Sequence, residues 1–181
     1  MNNRPPKDEY YLGIAKEVAR RSTCFRRSFG ALIICDDQII STGYVGAPRK
    51  TKDSLEHGFC LRDRFNIPHG QRYELCRSVH AEQNAIINAA RAGVSLLGGD
   101  IYIFGENPAT KEQIYGYPCF ICKKMIINAG LNRIICSASE KGMKIFTAEE
   151  WAEDWKKNDI IDDKHQYGQG TAGLGKGDPS S

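Results

Sequence analysis

A chain of 181 residues has room for one well-buried domain and too little for two comfortable ones. Hydrophobic residues at 41% and charged residues at 26% are globular values, and no apolar run approaches the roughly 20 residues of a membrane-spanning helix. A net charge of +3 permits contact with phosphates but falls short of the basic footprint of a dedicated nucleic-acid binder, so no nucleic-acid partner is expected. The N-terminal MNNRPPKDEY carries no apolar signal region, and the expected address is cytoplasmic. Seven cysteines, an odd count without a secretion signal, argue against a disulfide scaffold and for reduced thiols or metal ligands.

From Asp8 to Arg21, Tyr11, Leu12, Ala15, Val18 and Ala19 recur at helical spacing, with basic residues at the C-terminal end where the helix dipole favours them. Phe29–Cys35 and Gln38–Thr42 are β-rich runs around Asp36 and Asp37, a hairpin with acidic turn residues. Tyr44 to Arg77 shows no sustained period, and an excursion of that length is functional or held by something. A helix is predicted from about His80 to Ala92 with Gly93 as its stop, then a strand at Asp100–Phe104. A second helix is predicted over Pro118–Ala129, with proline at its first position, followed by a strand in NRIICS. Thr147 and Glu150 form a capping-box pattern opening a helix through Trp151 and Trp155. Residues 166–181 form a glycine-rich tail expected to be disordered. Helices alternating with strands after a hairpin predict an α/β sandwich around a mixed sheet.

Chemistry concentrates at two helix starts. Cys119 and Cys122 stand three apart, so their sulfurs share one face of the first turn, where exposed amides favour thiolates. A lone CxxC reads equally as buried cysteines, a redox pair or half a zinc site. His80 alone reads as a packing residue, and Glu82 alone as an acid welcomed by the helix dipole. Together, HAE followed by PCFIC reproduces the H-x-E…P-C-x-x-C signature of zinc deaminases. His80, Cys119 and Cys122 then supply three ligands and leave a fourth position for water, as a catalytic zinc requires. Glu82 can take a proton from that water and return it to the substrate.

Through these motifs the chain resembles the deoxycytidylate (dCMP) deaminases of the cytidine deaminase superfamily. The resemblance covers about residues 11–136 and rests on ARRSTCFRRSFGALII, STGY.GAP, FCLRDRFNIPHGQRYELCRSVHAEQNAI and PCFICKKMIINAGL. It implies a three-layer α/β/α sandwich with a mixed central sheet, one zinc-dependent deaminase domain over residues 8–160, and hydrolysis of dCMP to dUMP and ammonia. It also implies homo-oligomers, dimers or hexamers, with dCTP activating and dTTP inhibiting many members. Within this class, deamination of another nucleobase, nucleotide or nucleic-acid cytosine is the alternative. An inactive zinc-binding nucleotide sensor is the alternative outside it.

The chain departs from the family at three places. GYVG stands where GYNG is usual, so Val45 cannot make the hydrogen bond to the sugar that the asparagine implies. GENPATKEQIYGYPC is longer than the usual loop and runs beside the metal motif, bringing Tyr117 next to it. The segment bearing Trp151 and Trp155 lies outside the resemblance and is a candidate oligomer contact. Some members also hold a second, structural zinc; here Cys24, Cys60 and Cys76 are its candidate ligands, with His57 or His69 as the fourth. Arginines crowd the first helix and hairpin (Arg20, Arg21, Arg26, Arg27), with Arg49 and Lys50 beyond. Guanidinium groups suit a nucleotide phosphate, and Arg26 and Arg27 are the candidates for it.

Overall fold

Strand β1 (Ser28–Cys35) turns back into β2 (Gln38–Tyr44) through Asp36 and Asp37. Both take positive φ, 48° and 63°, as a two-residue turn matched to the twist of its strands demands. The computed structural model describes residues 4–68, 71–140 and 142–157. Its elements continue with α1 (Lys7–Ala19) ahead of the hairpin, and after it α2 (Ser54–His57), α3 (Leu61–Arg64), α4 (Ala81–Ala92), β3 (Asp100–Glu106), β4 (Gln113–Ile114), α5 (Phe120–Asn128), β5 (Arg133–Ser137), β6 (Met143–Thr147) and α6 (Ala148–Lys157).

The main sheet runs β2-β1-β3-β5-β6, with the short β4 pairing on β3. β3 and β5 are parallel, joined by a crossover that contains α5, and the other pairings are antiparallel, so the sheet is mixed. One face packs on α1: Tyr11, Leu12, Ala15 and Ala19 meet Leu32, Ile34, Tyr102, Phe104 and Ile135. The approach is close, because a Cβ on Gly30 would lie 2.2 Å from the Ala15 carbonyl oxygen. The opposite face, Ala31, Ile33, Ile101, Ile103 and Ile134, packs on Ala81, Ala85 and Ala89 of α4, Ile126 of α5 and Trp151 of α6. This is the expected three-layer α/β/α sandwich.

Several local expectations shift. Helix α5 begins at Phe120 with Cys119 as its N-cap, so Pro118 precedes the helix instead of occupying its first position. β6 is not expected from the sequence: its residues alternate poorly because among the described residues it is an outer strand paired only with β5. The excursion is not bare loop. Asp53 caps α2 through a reciprocal box with Glu56, and Gly58 ends it in the left-handed region. An antiparallel bridge closes the excursion at its base, Gly46 N–H to Val79 O at 3.2 Å and Val79 N–H to Gly46 O at 2.8 Å. The expected box of Thr147 and Glu150 does open α6. Among the described residues no helix is long and apolar enough to cross a membrane. The glycine-rich segment 166–181 and His69 lie outside the described residues.

Candidate functional site

Helices α4 and α5 pack against each other on one face of the sheet, and each starts with a residue of the metal motif as its N-cap. His80 is extended (φ −69°, ψ 156°), with its backbone N–H bonded to Gln83 Oε1 at 3.1 Å. Cys119 is likewise extended (φ −71°, ψ 170°), and Cys122 lies one turn into α5. His80 Nδ1 is 3.4 Å from the Sγ of Cys119 and 3.4 Å from that of Cys122. Bond lengths of about 2.1 Å to nitrogen and 2.3 Å to sulfur put neighbouring donors of a tetrahedral zinc ~3.6 Å apart. The donor set therefore fits zinc, and among the described residues it is the group of His, Cys, Asp and Glu ligand atoms so clustered, all within 4.8 Å.

The charges suit that role. The Cys119 thiol drops to about 4, chiefly through its hydrogen bond with Cys122, with His80 adding to the effect against burial. Burial pushes Cys122 up. For His80 burial alone would lower the pKa, but the hydrogen bond with Cys119 and the charge of Glu82 raise it. Glu82, in the first turn of α4, is 5% exposed and contacts Cys122. Burial raises its carboxyl, partly opposed by His80.

These groups open into a cavity of about 520 Å³ that reaches from His80, Glu82 and Cys119 to the excursion. Among the sequence candidates, Arg26, Arg27, Val45, Tyr117, Cys24, Cys60 and Cys76 all line it. Cys24, Cys60 and Cys76 share that wall, but they do not form a donor triple as tight as His80–Cys119–Cys122. Among candidate fourth ligands, His57 packs on Phe59 (ring centroids 5.9 Å apart) and is not part of the lining. Arg20 pairs with Glu17, and Arg49 with Asn88 on α4, so these belong to the solvated face and not to the cavity. The long segment before Cys119 is pinned to the sheet: Ser137 Oγ donates to Ile114 O at 2.8 Å, and Gly116 N–H to Ser137 O at 2.8 Å. That places Ile114, Tyr115 and Tyr117 in the lining.

Sequence reasoning missed Arg62, Tyr73 and Arg77. Arg62 is 4% exposed, donates to Pro68 O at 2.8 Å and stacks on Tyr73 at 4.9 Å, while Tyr73 meets His80 edge-on at 5.2 Å. Arg77 lies 5.3 Å over Phe59. Arg26 pairs with Asp63 through Nε at 3.2 Å. Buried donors remain without a hydrogen-bond partner at Arg26 Nη1, Arg62 Nε and Arg77 Nε. In sequence Arg62 and Arg77 sit in a charge-rich stretch without period, which carries no sign of burial.

The family profile described as "Cytidine and deoxycytidylate deaminase zinc-binding region" matches residues 5–138. The deoxycytidylate deaminase of Mycobacterium phage D29 is 33% identical over 138 residues, covering 74% of this chain and 95% of that relative. That of Schizosaccharomyces pombe is 29% identical over 136 residues, and there the alignment spans 75% of this chain but 38% of the yeast protein. The crystal structure of apo dCMP deaminase from cyanophage S-TIM5 superposes with a TM-score of 0.51 at 25% identity, covering 72% of this chain and 82% of that one.

Proposed function

The chain belongs to the cytidine and deoxycytidylate deaminase family, and from that membership we propose that it is a zinc-dependent hydrolase converting dCMP to dUMP and ammonia. The relatives named deoxycytidylate deaminase support this substrate. The observation that carries the reading is a single cavity lined by His80, Cys119 and Glu82 and also by Arg26, Arg62 and Arg77, arginines that each keep a buried N–H without a partner. Such donors are costly unless an anion meets them, and a nucleotide phosphate is the anion that comes attached to an aminated base.

In this proposal His80, Cys119 and Cys122 hold zinc, whose Lewis acidity makes water a nucleophile near neutral pH. Glu82 would carry one proton of the attacking water to the ring nitrogen, where it stays in the product, and then move the remaining hydroxyl proton to the amine, which leaves as ammonia as the carbonyl forms. Burial suits it to both tasks, because a carboxyl raised toward neutrality is a stronger base and can still carry the proton forward. Arg26, Arg62 and Arg77, with Arg27 beside them, meet the phosphate. Tyr117 lies against the base, and Val45 forms an apolar stretch of wall on the sugar side. Residues 8–160 act as the deaminase domain. The working form is a cytoplasmic homo-oligomer, dimer or hexamer, with dCTP and dTTP as its effectors. A mononucleotide is favoured over a nucleic acid because Arg26, Arg62 and Arg77 line a cavity.

Val45 favours one second reading, a cytosine nucleotide with a different sugar or another aminated base. The test is ammonia release across cytidine, CMP, dCMP, dCTP and adenine and guanine derivatives, with E82Q as control. Turnover of dCMP above cytidine, lost in E82Q, supports the proposal. Silence on every compound would replace it with a nucleotide sensor.

A further inference from the structure

Lys123 directly follows the ligand candidate Cys122, yet its side chain is 2% exposed and among the largest of the fully buried ones. Its Nζ lies over three aromatic rings: Tyr117 at 4.5 Å, Trp151 at 4.8 Å and Trp155 at 5.9 Å. Tyr117 lines the cavity, whereas both tryptophans belong to α6. The rings are tied to one another as well. Tyr117 meets Trp151 at 5.9 Å and Phe146 at 5.1 Å, both edge-on, and stacks on Tyr115 at 5.3 Å. Trp155 stacks on Phe120 at 5.8 Å, closing the far side of the enclosure.

A buried ammonium costs more than a methylene chain of the same length, and aromatic faces recover part of that cost only where they stand around the charge. The arrangement therefore fixes ring positions in a way that plain apolar packing does not. We propose that Lys123 is a positioning residue for the substrate: its charge gathers Trp151 and Trp155 of α6 behind Tyr117, and so holds the Tyr117 ring as the wall against which the pyrimidine packs. This makes α6, which lies beyond the family-matched residues 5–138, part of the base-binding apparatus of this chain. The inference rests on the deaminase reading for its ligand, and on the cage geometry for everything else.

The test uses the full chain loaded with zinc. K123M keeps the length of the side chain without its charge, and K123R restores a cation able to lie on aromatic faces. The expected result is a KM for dCMP raised about tenfold in K123M, with kcat within about twofold, zinc content unchanged and KM largely recovered in K123R. In an E82Q background, dCMP binding read by tryptophan emission should weaken by the same factor when K123M is added. Should K123M fail to fold, Trp155→Leu removes the outer wall of the cage without touching Tyr117 and should raise KM in the same direction. Unchanged KM and emission titration, or KM, kcat and zinc content failing together without recovery in K123R, would overturn the inference. A wild-type chain that turns over no cytosine nucleotide overturns the deaminase reading instead, and the emission titration with dCMP then decides the role of Lys123.

Discussion

Gly43 of β2 and Ala81 of α4 meet backbone to backbone: a Cβ on Gly43 would lie 2.3 Å from the Ala81 carbonyl oxygen and 2.3 Å from the Ala85 nitrogen. Ala81 is the residue between His80 and Glu82, so this contact sets how deeply the start of α4 seats on the sheet. The obstructing atoms are main chain and cannot rotate away. Gly43→Ala should therefore destabilise the fold by about 1–3 kcal/mol in urea unfolding and also loosen zinc binding, as helix and ligand move together. A stable G43A chain with full zinc content would separate the contact from the site.

Glu82→Gln preserves shape and hydrogen bonding but removes the group that can carry a proton. Turnover should fall by about 10²–10⁴-fold while zinc content stays at the wild-type level. Activity within tenfold of wild type would assign the proton transfer to another group.

Cys119→Ser or Cys122→Ser leaves two of the three clustered donors. Each variant should lose zinc to a mild chelator that spares the wild type, and the wild type should contain about one zinc per chain. A content of two would assign the second ion to Cys24, Cys60 and Cys76, which share the cavity wall.

Val45 is 8% exposed, and its main chain is already committed, N–H to Phe29 O at 3.1 Å and carbonyl from Thr23 N–H at 2.9 Å. Val45→Asn should leave those bonds intact and add a polar side chain to the cavity. If the sugar sits there, KM for dCMP should fall about fivefold, the worth of one hydrogen bond. An unchanged KM would move the sugar elsewhere.

Far from the cavity, Asp8 accepts from Tyr102 Oη at 2.7 Å and from Arg133 Nη2 at 2.7 Å. Burial raises the Asp8 carboxyl, but these two donors outweigh it and hold the pKa below its usual value. A depressed acid stabilises the fold above its unfolded pKa of about 3.9, and that contribution disappears as pH falls through the lower folded value. Asp8→Asn should cost about 1–2 kcal/mol at pH 7, and the gap between variant and wild type should close below about pH 4. A gap independent of pH would show that the carboxylate charge contributes nothing.

The hairpin, α1, α4, α5 and the metal motif were all legible in the sequence, because each is written in local terms. Two acidic turn residues, apolar residues at helical spacing, and a histidine and cysteines at helix starts need no knowledge of distant neighbours. His80 and Glu82 announced their chemistry only in company with Cys119 and Cys122, about forty positions away, and the signature sufficed to join them. What remained hidden depends on burial. Arg62 and Arg77 look like solvated charges until the excursion folds, and Arg20 and Arg49 look the same yet stay outside.

Lys123 shows the division most clearly. The sequence by itself determined that a lysine follows Cys122 and that two tryptophans recur later at helical spacing. Only the tertiary structure decided that α6 returns across α5 to enclose that lysine against Tyr117. The reason is physical: helix and strand periodicity are properties of a few neighbouring residues, whereas the environment of a charge is made by whichever segments the packed core brings beside it.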